Sequence, residues 1–169
     1  WLFTDERNDA ALDQAILRLP RGSGIVFRHH HLSESRRRAR FETIRKLARR
    51  RGHVLMLAGS PSLARWRADG VHGRMARRPM IGGLLRSAPV HDAAEIQQAN
   101  RSGADIFFLS PIFSTRSHAG QRPLNGMQAR RLARSCNGVV IYLGGMTARR
   151  YHMVRNHRTH GWAAIDALS

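Results

Sequence analysis

At 169 residues the chain has the length of one domain, and its 42% hydrophobic content is enough to bury a core. No run approaches the ~18 consecutive apolar residues of a membrane helix, and the single cysteine, Cys136, excludes an intrachain disulfide or a cysteine-based zinc site. The formal net charge of +18 attracts polyanions, but Lys46 is the only lysine among 29 basic residues and the arginines are scattered over predicted helices, so most of this charge reads as solvated helix face.

Only 7% of the residues are aromatic, and no basic stripe with interleaved aromatics is present, so no nucleic-acid partner is expected. A lone cysteine fits a reducing cytoplasm, and the expected location is cytoplasmic. The opening Trp1-Leu2-Phe3-Thr4-Asp5 reads as a strand rather than a signal peptide. The missing initiator Met suggests that the sequence begins inside a longer gene product.

Leu2-Phe3-Thr4 is the first strand. Asn8 to Leu19 repeats apolar residues at helical spacing (Ala11, Leu12, Ala15, Ile16, Leu19) and stops before Pro20. Gly24 to Arg28 is the second strand, and Arg36 to Arg51 a helix with Phe41, Ile44, Leu47 and Ala48 on one face. Val54 to Ala58 is the third strand, followed by a short helix from Pro61 to Arg67 and a short fourth strand from Asp69 to His72. Residues 73 to 83 read as loop, Leu84 to Ala88 as the fifth strand, and Asp92 to Ser102 as a helix ended by Gly103. Asp105 to Leu109 is the sixth strand, 110 to 125 a long polar loop, and Met127 to Cys136 a helix. Val139 to Leu143 is the seventh strand. Thr147 caps a helix reaching about His157, and Trp162 to Ile165 is the eighth strand.

Continuous apolar strands alternating with helices predict an α/β fold built on a parallel sheet. Eight such units predict a single domain over 1–169, a compact (β/α)8 TIM barrel. Such barrels typically need ~200 or more residues. The short crossovers, and a final helix missing or truncated after Ser169, would accommodate the difference.

In such barrels the functional side chains stand at the C-terminal ends of the strands. This sequence places there Arg28-His29-His30-His31, His72, His91, Ser114 to His118, Gly144-Gly145 before the cap Thr147, and Asp166. The glycine pair before a helix suits a phosphate cradle. Thr115, Arg116, Ser117 and His118 offer hydroxyls and cations to a phosphate, or form an ordinary polar loop. Three adjacent histidines diverge in space, so the histidine run is not read as a metal site.

Four short blocks, in order, resemble the thiamine phosphate synthase and thiazole tautomerase (TenI-like) superfamily. Gly103-Ala104-Asp105 leading to Ser110-Pro111-Ile112-Phe113-Ser114-Thr115 looks like that family's GAD…GPVFPT segment. Ala68-Asp69-Gly70-Val71-His72 resembles ADGVH, Val90-His91 with Glu95 resembles an S-x-H…EA element, and Leu143-Gly144-Gly145-Met146-Thr147 resembles a GG(I/M)T turn. The resemblance implies a transferase of thiamine biosynthesis that joins a hydroxymethylpyrimidine diphosphate to a thiazole phosphate, with Mg²⁺ assistance and release of pyrophosphate. It also implies small phosphorylated pyrimidine and thiazole ligands as partners, no membrane partner, and leaves a homo-oligomer open.

By the same resemblance Arg28 and His30 lie in the pyrophosphate strand. His72, His91, Thr115, Ser117 and His118 occupy further ligand positions, and Gly144 and Gly145 the thiazole-phosphate side. The chain departs from the pattern at several points. Val26 and His30 replace Gln and Lys, and Gly59-Ser60 replaces Asn-Asp. His72-Gly73-Arg74 shortens a stretch that carries a carboxylate, and His118 replaces a Lys. Asp166 stands where a Ser is usual, and Pro111 stands where tautomerases carry His, as in synthases. The carboxylates expected to carry Mg²⁺ are therefore missing from the matching positions, and Arg74 and Arg116 are candidates to replace the ion. The alternative reading is a catalytically impaired or redirected barrel that binds a phosphorylated heterocycle.

Overall fold

A computed structural model describes residues 1–59, 66–74, 83–115, 122–166 and 168. The chain divides into two compact units, one of Trp1–His72 with Ile165–Ser169 and one of Gly73–Ala164.

The first unit carries β1 (Leu2–Phe3), a 3-10 segment (Glu6–Ala11), α1 (Leu12–Arg18), β2 (Gly24–Phe27), α2 (Glu34–Arg51), β3 (Val54–Ala58) and β4 (Gly70–His72). Its strands pair in parallel, with Leu2 beside Ile25, Gly24 beside Val54 and Met56 beside Gly70. Side chains alternate along a strand. Ile25, Phe27, Leu55 and Leu57 therefore share one face and pack with Leu12, Ile16, Phe41, Ile44 and Trp66. Val26 and Met56, on the other face, are equally buried, as a parallel sheet covered on both sides requires.

The single helix expected over Asn8 to Leu19 is two elements, because chain direction is set earlier, at Asp5. There a reciprocal cap with Asn8 starts a tight turn. Asn8 is buried and also donates to the carbonyls of Phe3 and Ile165. α2 begins two residues before the expected Arg36 and ends at Gly52, whose φ of +67 suits a residue without a side chain. Most of the helix expected over Pro61 to Arg67 lies outside the described residues. Trp66 is described: it is buried, and its ring centroid lies 5.5 Å from that of Phe41.

The second unit carries β5 (Leu85–Val90), α3 (Ala93–Ser102), β6 (Ile106–Leu109), α4 (Gly126–Arg134), β7 (Val139–Tyr142), α5 (Ala148–Val154) and β8 (Thr159–Trp162). These strands are also parallel, with Ser87 beside Ile106, Ile106 beside Val139 and Val140 beside Thr159. Val90, Phe107, Leu109, Val140 and Tyr142 pack against Ile96, Ala99, Ala129 and Ala133 of the helices. Side-chain caps from Asp92, Asn125 and Thr147 start α3, α4 and α5. Cys136 is buried, its thiol donates to the Leu132 carbonyl at 3.5 Å, and burial pushes it up to about 12 against the pull of Arg158.

β5 runs two residues past the expected Ala88, because Pro89 and Val90 keep register with Phe108 and Leu109. The eighth strand is displaced from the expected Trp162 to Ile165. Its ladder runs through Thr159 and Gly161, with an irregularity between Val140 and Ile141. The apolar Trp162-Ala163-Ala164-Ile165 run misplaced it, whereas polar contacts define it. Asn156 N–H donates to the Thr159 hydroxyl at 3.0 Å, and Val140 N–H donates to His160 Nδ1 at 3.2 Å. Asp166 is consequently not at a strand end. Among the described residues no helix is long and apolar enough to cross a membrane.

Phe41 is fully buried and meets Phe27 edge-to-face at 5.4 Å. Phe41→Ala should cost about 3–5 kcal/mol of stability, read as a lower urea midpoint with an unchanged slope.

Candidate functional site

The C-terminal ends of β1 and β2 are fastened together at Thr4. Its N–H donates to the Val26 carbonyl at 3.0 Å, and its hydroxyl accepts the Arg28 N–H at 2.9 Å. The same hydroxyl lies 2.8 Å from His29 Nδ1, and His29 Nε2 lies 2.9 Å from Asp9 Oδ1. A carboxylate only accepts, so in the neutral ring Nε2 carries the proton and Nδ1 accepts from Thr4. His29 continues the Ile25–Phe27 row toward the helices and stacks on Phe27 with centroids 4.7 Å apart. Burial lowers its pKa, and the Asp9 contact opposes this without reversing it. The hydroxyl, imidazole and carboxylate stand in the order of a nucleophilic relay, but Thr4 is fully buried. The arrangement is a fastening.

Arg28 leaves the strand on the other side. Its Nε donates to the Thr4 carbonyl at 2.9 Å and its Nη2 to Asp5 Oδ2 at 2.5 Å, and its guanidinium carbon lies 5.7 Å from the centre of the Phe3 ring. Nη1 has no partner among the described residues. Burial works to raise the Asp5 carboxyl, but the hydrogen bonds and charges of Arg7 and Arg28 outweigh it and hold the group below the usual range.

His72, at the end of β4, meets the edge of the same Phe3 ring at 5.2 Å. Burial pushes it down to about 4, and the charges of Arg28 and His30 act in the same direction. His30 is exposed, and its pKa is lowered by partial burial and then by Arg37, Arg28 and His29. Phe3 thus brings Arg28 and His72 together, with His30 within their electrostatic reach.

Arg37 joins this group from α2. It was expected on a solvated face with Arg36 and Arg38, but it is buried. Its Nε donates to the Arg28 carbonyl at 2.8 Å and its Nη2 to the Ala58 carbonyl at 2.5 Å, tying the ends of β2 and β3. Its guanidinium carbon lies 5.7 Å from the Phe27 ring centre and 5.5 Å from that of Trp66. No acidic side chain pairs with it among the described residues.

In the second unit His91 follows β5. Glu95 Oε2 accepts from the His91 backbone N–H at 2.8 Å and lies 2.7 Å from its Nδ1, while the other carboxylate oxygen pairs with Arg74. Glu95 therefore fixes the orientation of the imidazole and holds the Arg74 cation beside it.

After β7, Gly144 (φ +92) and Gly145 (φ +59) adopt conformations that favour glycine. A Cβ on Gly144 would lie 2.9 Å from Pro111 Cα, and one on Gly145 would lie 2.5 Å from the Ser114 carbonyl oxygen. The glycines thus admit the segment leading to Thr115, which bonds back through Ile112 N–H to the Leu143 carbonyl and Phe113 N–H to the Gly144 carbonyl, both at 3.0 Å. Arg150 lies over the Phe113 ring at 4.9 Å and donates to the Gly145 carbonyl. The N–H groups of Gly145 and Met146 have no acceptor among the described residues. Ser117 and His118 lie outside the described residues, as do Ser60 and Arg116. Asp166 is exposed and lies 3.7 Å from Arg7.

Sequence reasoning missed the Thr4–His29–Asp9 fastening and the inward turn of Arg37. Alternation along β2 carried a signal for the first, since it separates His29 from Arg28. Helical spacing carried one for the second: Arg37 precedes Phe41 by four residues and shares its face.

Folded His29, His30, His53 and His72 all resist protonation. Between pH 7 and 5 the unfolded chain therefore binds more protons, and acidification favours unfolding. The structure predicts that stability falls over this window. His72→Gln should lose about 2 kcal/mol less across it than the parent chain, as measured by urea unfolding at each pH.

The thiamine monophosphate synthase family profile matches residues 2–168. Thiamine-phosphate synthase of Salinibacter ruber is 34% identical over 103 residues, 59% of this chain and 42% of that protein. Thiamine-phosphate synthase of Synechococcus sp. (strain WH7803) is 24% identical over 180 residues, 99% of this chain and 51% of that protein. The chain spans about half the length of these curated relatives. The structure of a thiamine phosphate pyrophosphorylase from Pyrococcus furiosus superposes with a TM-score of 0.81 at 21% identity, covering 98% of this chain and 84% of that one. That likeness gives the fold, and with the family match over nearly its whole length, the chain belongs to the thiamine monophosphate synthase family.

Proposed function

We propose that the chain is a thiamine-phosphate-synthase-type transferase, joining a hydroxymethylpyrimidine diphosphate to a thiazole phosphate. The observation that carries it is the grouping of Arg28 and His72 about the Phe3 ring, with His30 within their electrostatic reach and the Arg37 guanidinium tied from the helix layer to the Arg28 carbonyl, where a diphosphate would meet fixed cations. In the reaction the bond between the pyrimidine methylene carbon and the diphosphate oxygen breaks, and its electron pair leaves on pyrophosphate. The thiazole nitrogen then forms the new C–N bond. Arg28 and Arg37 favour the charge gathering on the departing group. His72, neutral at pH 7, lines the site and can donate one hydrogen bond. On the thiazole side the N–H groups of Gly145 and Met146, with Thr115, suit a monophosphate.

A second reading, binding of the phosphorylated heterocycle without turnover, is favoured by one observation. The Asp5 and Glu95 carboxylates are already held by arginine or histidine partners.

Incubation of the purified chain with both precursors and Mg²⁺, followed by mass detection of thiamine phosphate, tests the first reading. Product is expected, with a rate at least about tenfold lower in Arg28→Met. Diphosphate binding without product would leave the second reading. No binding of either precursor would reject both.

A further inference from the structure

The donor set of this site does not fit a divalent cation. Magnesium rests on one or two carboxylates together with substrate phosphates. Asp5 is the carboxylate nearest Arg28, and both its oxygens are taken, Oδ1 by Arg7 at 2.9 Å and Oδ2 by Arg28 at 2.5 Å. Asp9 is held by His29 and Arg40, and Glu95 by His91 and Arg74. No group of three or more His, Cys, Asp or Glu side chains among the described residues is arranged to hold a metal. What surrounds Phe3 instead is a guanidinium and an imidazole, with a second guanidinium bound to the Arg28 carbonyl.

We propose that this chain binds the diphosphate of its ligand without a divalent cation, with Arg28 and Arg37 supplying the positive charge that an ion would otherwise bring. The inference rests on the reading of this group as an anion site. Arg28 keeps Nη1 for a phosphate oxygen while its other nitrogens hold Thr4 and Asp5, so the guanidinium is fixed in place before any ligand arrives. Among the described residues Arg37 is buried without an acidic partner, so its field reaches the strand ends uncancelled by a carboxylate of its own. Burial is the main cause that lowers His30 and His72, and the charges of Arg37 and Arg28 on the first and of Arg28 and His30 on the second add to it, a positive potential that an anion would relieve.

Titration calorimetry with inorganic pyrophosphate, in EDTA and again in excess Mg²⁺, tests the inference. The expected result is binding in EDTA with a dissociation constant within about threefold of that in Mg²⁺, a difference under 1 kcal/mol. Arg28→Met should weaken binding in EDTA at least about tenfold. Because Arg28 also holds Asp5, the exposed His30→Glu provides a second test. It adds a carboxylate beside the cations, and binding in EDTA should fall by a similar factor. Binding only in Mg²⁺ would overturn the inference and leave the anion site standing. No binding in either buffer would overturn both. Binding in EDTA that neither variant weakens would place the anion elsewhere and reject the inference.

Discussion

The hydroxyl of Thr4 sits where two strand ends and three side chains meet. Few groups can accept one hydrogen bond and donate another from the same atom, and here that atom serves the Arg28 N–H and the His29 ring together. This sends His29 into the helix layer, where Asp9 and the Phe27 ring receive it, and leaves Arg28 on the opposite side beside Phe3. Arg37 completes the junction from α2 by capping the carbonyls of Arg28 and Ala58. The charged group therefore depends on buried backbone and hydroxyl contacts, and the flexible reach of exposed arginines plays little part in it.

That distinction explains why total charge says little about the site. A net charge of +18 describes the surface, where arginines such as Arg45 settle into local pairs with neighbouring acids and contribute little individually. Two partly or wholly buried guanidiniums at strand ends weigh more, because their surroundings screen them less. The carboxylates in the same region are neutralised by these and other cations, which shifts the balance of the site toward anions.

Much of the architecture was legible because buried parallel strands are short apolar runs that side-chain pattern alone can mark. Val54–Ala58 was read to the residue, and Gly103 was correctly read as the end of α3. Legibility failed where polar groups set the boundary, as in the cap between Asp5 and Asn8 and the Thr159 contacts that place β8 four residues from Asp166. At the site, the identities of Arg28, His72 and the glycine pair could be read, but not their partners. Asp5 lies 23 residues from Arg28 in sequence, and no local pattern links them. The close approach that demands glycine at 144 and 145 is likewise a contact with a segment about thirty residues away.

The buried thiol of Cys136 has a practical consequence. Thiolate is the reactive form, and a group held at about 12 and enclosed by α4 and its surroundings offers almost none at neutral pH. The native thiol is thus quiet toward maleimides. A cysteine introduced at a surface position would be the single addressable point on the molecule, and a fluorophore or spin probe could be attached there without first removing the natural one.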